Sequence, residues 1–163
     1  MDTSDLAGLV PGLLARRPEC VWTLLSGRRP GEDLVIHLHP VAWPRRVAVV
    51  RVDAGAEVFS FSFAGHVSTD FAYLDEDRPE TLQERIDLAV EASIGPTQVV
   101  CDTARGVVVA STLIFGHGGP HPRTDTVVRY PLRRLRARIS GHRINREATD
   151  FPAPDEPGNP DDR

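Results

Sequence analysis

Residues 77–96, DRPETLQERIDLAVEASIGP, fit one conformation well, an amphipathic helix, and that helix dictates what the strands on either side must pack against. Asp77 stands where an N-cap would satisfy the first amides, Pro79 falls in the first turn where a missing N–H costs nothing, and Glu80 completes a capping-box spacing. Gly95 and Pro96 stop it, which predicts a helix over 79–94. At about 100° per residue Leu82, Ile86, Ala89, Val90 and Ser93 share one side, with Ile94 at its margin. Glu80, Glu84, Asp87 and Glu91 fall opposite in a narrow line. No Lys or Arg follows any of them at four residues, so the helix itself gives the line no ion-pair relief. An ordinary solvated face, contact with the chain's own arginines and contact with a basic partner all fit that line.

The rest of the charge is laid out in blocks. All 19 basic side chains are Arg, which points first to a GC-rich, bacterial genome and only second to phosphate recognition. Residues 1–122 carry 10 Arg against 16 acids, residues 123–146 carry 8 Arg against one acid, and residues 147–163 carry one Arg against 6 acids. An acidic body, a basic arm and an acidic tail thus lie behind a net charge of only -4. The tail has Pro152, Pro154, Pro157 and Pro160 among its acids and no apolar repeat, so 147–163 is expected to be disordered.

Before the helix the pattern is mostly β. A first helix is predicted around Leu6, Leu9, Val10, Leu13 and Leu14, capped by Ser4 or Asp5 and kinked or split at Pro11. CVWTLLS at 20–26 is read as a strand. Leu34, Ile36 and Leu38 alternate with Val35, His37 and His39, residues 46–52 are apolar on both faces, and Phe59, Phe61 and Phe63 alternate with Val58, Ser60 and Ser62. Residues 67–74 give a further strand. Beyond the helix, TQVVCD and GVVVASTLIF read as a hairpin about Thr103–Gly106. A short Arg-rich third helix is preferred over 131–140, although alternation of Leu135, Ala137 and Ile139 leaves a strand open.

No motif on the chain names a reaction. There is no GxxxxGK[ST], no GxGxxG and no GxSxG. His37 and His39 share a strand face, and His66, His117 and His121 are available to join them, but no acidic or cysteine partner sits at metal-ligand spacing, so no metal and no cofactor are expected. Cys101 lies in an apolar run that favours an inert thiol, and a bridge to Cys20 stays open. Neither an N-terminal signal pattern nor an apolar run of membrane-spanning length is seen, from which a cytoplasmic protein without membrane contact is expected.

These features converge on one α+β domain over 1–146, a single mostly antiparallel sheet of six or seven strands covered by the helix at 79–94 and by an N-terminal helix. The order helix, strands, helix, two strands, helix resembles that of small secretion-chaperone domains, a resemblance of element order alone. The function expected is a non-enzymatic protein-binding module, of adaptor, chaperone-like or toxin-neutralising kind, acting through charged surfaces. Glu80, Glu84, Asp87 and Glu91 on the helix, and Arg133, Arg134, Arg136 and Arg138 on the arm, are the candidate partner-binding residues. A nucleic-acid-binding protein using 123–146 is the alternative, and a small enzyme or ligand binder lined by histidines the second. Oligomeric state is left open.

Overall fold

A computed structural model describes residues 1–129 and 144–153. Along the chain run α1 (Thr3–Leu14), β1 (Cys20–Ser26), β2 (Leu34–Pro40), β3 (Ala48–Val52), β4 (Val58–Phe63), β5 (His66–Phe71), α2 (Arg78–Ile94), β6 (Thr97–Ala104), β7 (Val107–Phe115), β8 (Arg123–Val128) and β9 (Asn145–Phe151). The fold is α+β and its strand pairs are all antiparallel, but the strands divide into two sheets where one of six or seven strands was expected. A five-stranded meander runs β1-β2-β3-β4-β5, and a four-stranded sheet runs β8-β7-β6-β9.

The first sheet follows its alternation closely. Leu34, Ile36 and Leu38 of β2, Val50 and Val52 of β3, and Phe59, Phe61 and Phe63 of β4 all turn to one buried face. Against it α2 lays Leu82, Ile86, Ala89, Val90 and Ser93, the stripe its spacing predicts, and α1 adds Leu6, Val10 and Leu14. Each buried Leu, Ile, Val or Phe among these contributes about 1.5–3 kcal/mol by leaving water. The same core continues into Val99, Leu113 and Phe115 of the second sheet.

Helix ends differ from expectation in detail. The cap of α1 is Asp2, not Ser4 or Asp5: its carboxylate accepts from the amides of Ser4 and Asp5 at 2.8 and 3.0 Å, while Asp5 accepts from the Asp2 amide at 2.9 Å. Pro11 does not split the helix, because it removes one hydrogen bond near the end of an element held down by Leu6, Val10 and Leu14. Asp77 precedes α2 with a helical backbone already (φ -85, ψ -21), so its side chain makes no cap and the capping box with Glu80 does not form.

The second sheet is where expectation and structure part most. Residues 123–128, read as basic arm, form β8 beside β7. Residues 147–151, read as the start of a tail without structure, lie in β9, paired with β6 from Asn145↔Thr103 to Phe151↔Thr97. Phe151 fixes the end of β9 by packing on Phe63 at 4.7 Å between ring centroids. Arg46, only 4% exposed, lies over the rings of Trp43 and Phe151 and donates to the Pro152 carbonyl at 2.7 Å. Gly95 permits the crossing: its φ is +78, and a Cβ there would stand 2.6 Å from the Phe151 carbonyl oxygen. The proposed third helix at 131–140 and the remainder of the acidic tail lie outside the described residues. Among those described, no helix is long and apolar enough to cross a membrane.

Candidate functional site

The outward face of α2 borders a groove of about 660 Å³, lined by Arg17 from the turn after α1, by Glu84, Arg85, Asp87, Leu88 and Glu91 of α2, and by Arg123 at the start of β8. A cleft of about 540 Å³ between β5 and β8 adjoins it and shares Arg85, Leu88 and Arg123. The carboxylate line therefore sits where both sheets and a helix meet, not on a face remote from everything else.

The line divides electrostatically into two halves. Asp87 is bound by Arg17 at 2.6 Å, and this carboxylate holds the guanidinium charged, pushing its pKa above the usual value. Glu91 is paired with Arg123, whose guanidinium also lies 5.3 Å from the Phe115 ring centre. Relief that the helix does not supply internally thus comes from the flanking chain. Glu80 and Glu84 are exposed and form no ion pair among the described residues. Glu84 lines the groove, while Glu80 stands a turn before it. Arg133, Arg134, Arg136 and Arg138 lie outside the described residues. The arm's described arginines are all engaged within the protein: Arg123 with Glu91, Arg129 with the Gly65 carbonyl at 3.1 Å, and Arg146 with Asp102 at 3.6 Å.

His37 and His39 are not brought together with His117. His37 and His39 stand half-buried on the face of the first sheet away from the helices, His37 paired across strands with Thr23 and Val49 and His39 with Val21. His117 lies beside the second sheet, 3.6 Å from Asp150. Among the described residues there is no group of three or more His, Cys, Asp or Glu side chains placed to hold a metal ion. Cys20 and Cys101 are both free thiols, and burial pushes both above the ordinary thiol pKa.

One constellation escaped the sequence. His66 on β5 is fully buried and joins the two sheets, its Nδ1 3.0 Å from Ser111 Oγ on β7 and its Nε2 3.2 Å from Asp125 Oδ2 on β8. An ionised carboxylate only accepts, so Nε2 donates to Asp125 and Nδ1 accepts from the Ser111 hydroxyl. Burial lowers the His66 pKa, and the hydrogen bond to Asp125 opposes that shift. The residue types are those of a hydrolytic triad, but Ser111 is 1% exposed in mid-strand and its hydroxyl meets the nitrogen that a triad gives to the carboxylate. The chain of bonds ties two sheets together; His66 and Ser111 are closed to solvent, while Asp125 opens onto the cleft between β5 and β8. Ser111 and Asp125 lie 45 and 59 residues beyond His66 in sequence, which leaves no local spacing to detect.

Compared with protein families, curated proteins and solved structures, the chain matches none.

Proposed function

We propose that the protein is a non-enzymatic protein-binding module in which the outer face of α2 receives a basic segment of a partner protein. The observation that carries this reading is the pair Glu80 and Glu84, two exposed carboxylates on one helix face with no ion pair among the described residues, at the head of a groove continued by Asp87 and Glu91. A folded chain that neutralises the far half of a charged line and leaves the near half open presents a field to which a cationic surface is steered. The nucleic-acid alternative draws on Arg133, Arg134, Arg136 and Arg138; the arm's other arginines that are described already hold intramolecular acceptors, so the protein-binding reading is preferred. The histidine-lined alternative draws on His37, His39, His117 or His121; His37 and His39 lie on β2 of the first sheet, and His117 stands beside the second.

Affinity capture from the source organism, run in parallel with the wild type and with Glu80→Arg/Glu84→Arg, tests the reading. A partner held by the wild type and lost by the reversal variant is expected. Equal capture by both removes this face from consideration.

A further inference from the structure

We infer that Phe71, Tyr73 and Leu74 form the apolar anchor of the same recognition surface, taking a basic segment of a partner protein that also carries aliphatic side chains. This rests on the protein-binding reading above. Phe71, Tyr73 and Leu74 are 53%, 69% and 57% exposed, and the rings of Phe71 and Tyr73 stack at 6.1 Å with an interplanar angle of 14°. Two of the three are in ring contact and Leu74 directly follows Tyr73, which sets them apart from apolar side chains scattered singly.

The segment bearing them is fixed at both ends. Ala72 is buried and its amide donates to the Glu57 carbonyl at 3.0 Å, while the Asp77 amide donates to the Leu74 carbonyl at 3.1 Å. The buried Arg78 reaches back beneath it, with Nε 3.5 Å from the Ala72 carbonyl oxygen and a 2.6 Å ion pair to Asp75. Aromatic side chains held in place before binding lose little freedom on contact, which is what an anchor requires.

The rim selects the occupant. Glu76, Asp77 and Glu80 follow the patch along the chain and Glu57 is hydrogen-bonded across to Ala72, all four exposed and none in an ion pair among the described residues. Carboxylates repel the anionic lipid surfaces that exposed aromatics otherwise enter. A second copy meeting this patch about a two-fold axis would set the same acids against each other. A cationic protein segment satisfies both parts, its aliphatic side chains covering Leu74 and a guanidinium lying on the Tyr73 ring. Glu80 belongs to the rim and to the α2 line, so one extended partner segment runs from the patch into the groove.

The test titrates the isotope-labelled full chain with two synthetic peptides of equal length and charge, one alternating Arg and Leu, the other Arg and Gly, while amide resonances are followed. The Arg/Leu peptide is expected to shift the amides of Phe71–Leu74 and to bind at least about tenfold more tightly than Arg/Gly. Tyr73→Ser with Leu74→Ser is expected to bring the two peptides to equal affinity with no change in the unfolding midpoint. Equal affinity for the wild type overturns the anchor. Shifts confined to residues 84–91 also overturn it while leaving the α2 face standing, and no shift anywhere overturns both. Shifts of the same amides on raising protein concentration alone, or binding to vesicles of anionic lipid lost in the double variant, would assign the patch to another occupant and overturn the proposal.

Discussion

His66 is one of the contacts between the sheets, and its titration gives that contact a pH dependence. Its folded pKa lies below the unfolded value of about 6.5, because burial disfavours the imidazolium more than Asp125 favours it. Below that pH the unfolded chain binds the proton more readily, so the contribution is complete above about 6.5 and declines as the pH falls through and beneath it. Denaturation followed from neutral to mildly acidic pH is expected to show this decline, and His66→Gln to flatten it; an identical slope in the variant would place the titration elsewhere. Ser111→Ala leaves the buried Nδ1 without its donor and is expected to cost about 1–3 kcal/mol in the same measurement. Gly95→Ala should cost more than about 1 kcal/mol, since alanine at φ +78 is strained and its Cβ strikes the backbone of β9.

Among the elements, α2 and β9 are opposite cases. Ile86→Ala, in the centre of the buried stripe of α2, is expected to lower the unfolding free energy by about 2–5 kcal/mol. Phe151→Ala removes the one large apolar side chain of β9, and loss of amide protection along β9 with α2 still protected is the expected exchange pattern. The contrast also explains what could be read in advance. The long helix and the meander were legible because each buries one face only, so period and burial coincide in Leu82–Ile86–Ala89–Val90 and in Phe59–Phe61–Phe63. β9 was not, because NREATDF is exposed at every position but its last and is held by backbone pairing to β6. β8 alternates only weakly, and with both segments taken for arm and tail the second sheet had too few strands to be recognised. On α2, the four acids were readable as a line, but their division by Arg17 and Arg123 was not, since those partners come from 70 and 32 residues away.

Taken as a body, the protein sets an acidic helix face at the meeting of two sheets, and among the described residues no ion pair compensates its near half. On the proposed function, recognition is expected to be chiefly a matter of encounter rate: exposed carboxylates steer a cationic partner, and salt weakens the steering. The decisive measurement is the association rate of the captured partner as ionic strength is raised, for the wild type and for Glu80→Arg/Glu84→Arg. The wild-type rate is expected to fall steeply with salt, and the reversal variant to associate about tenfold more slowly at low salt with a flatter dependence. Rates that coincide for the two proteins at every ionic strength would contradict the assignment of this face to partner recognition.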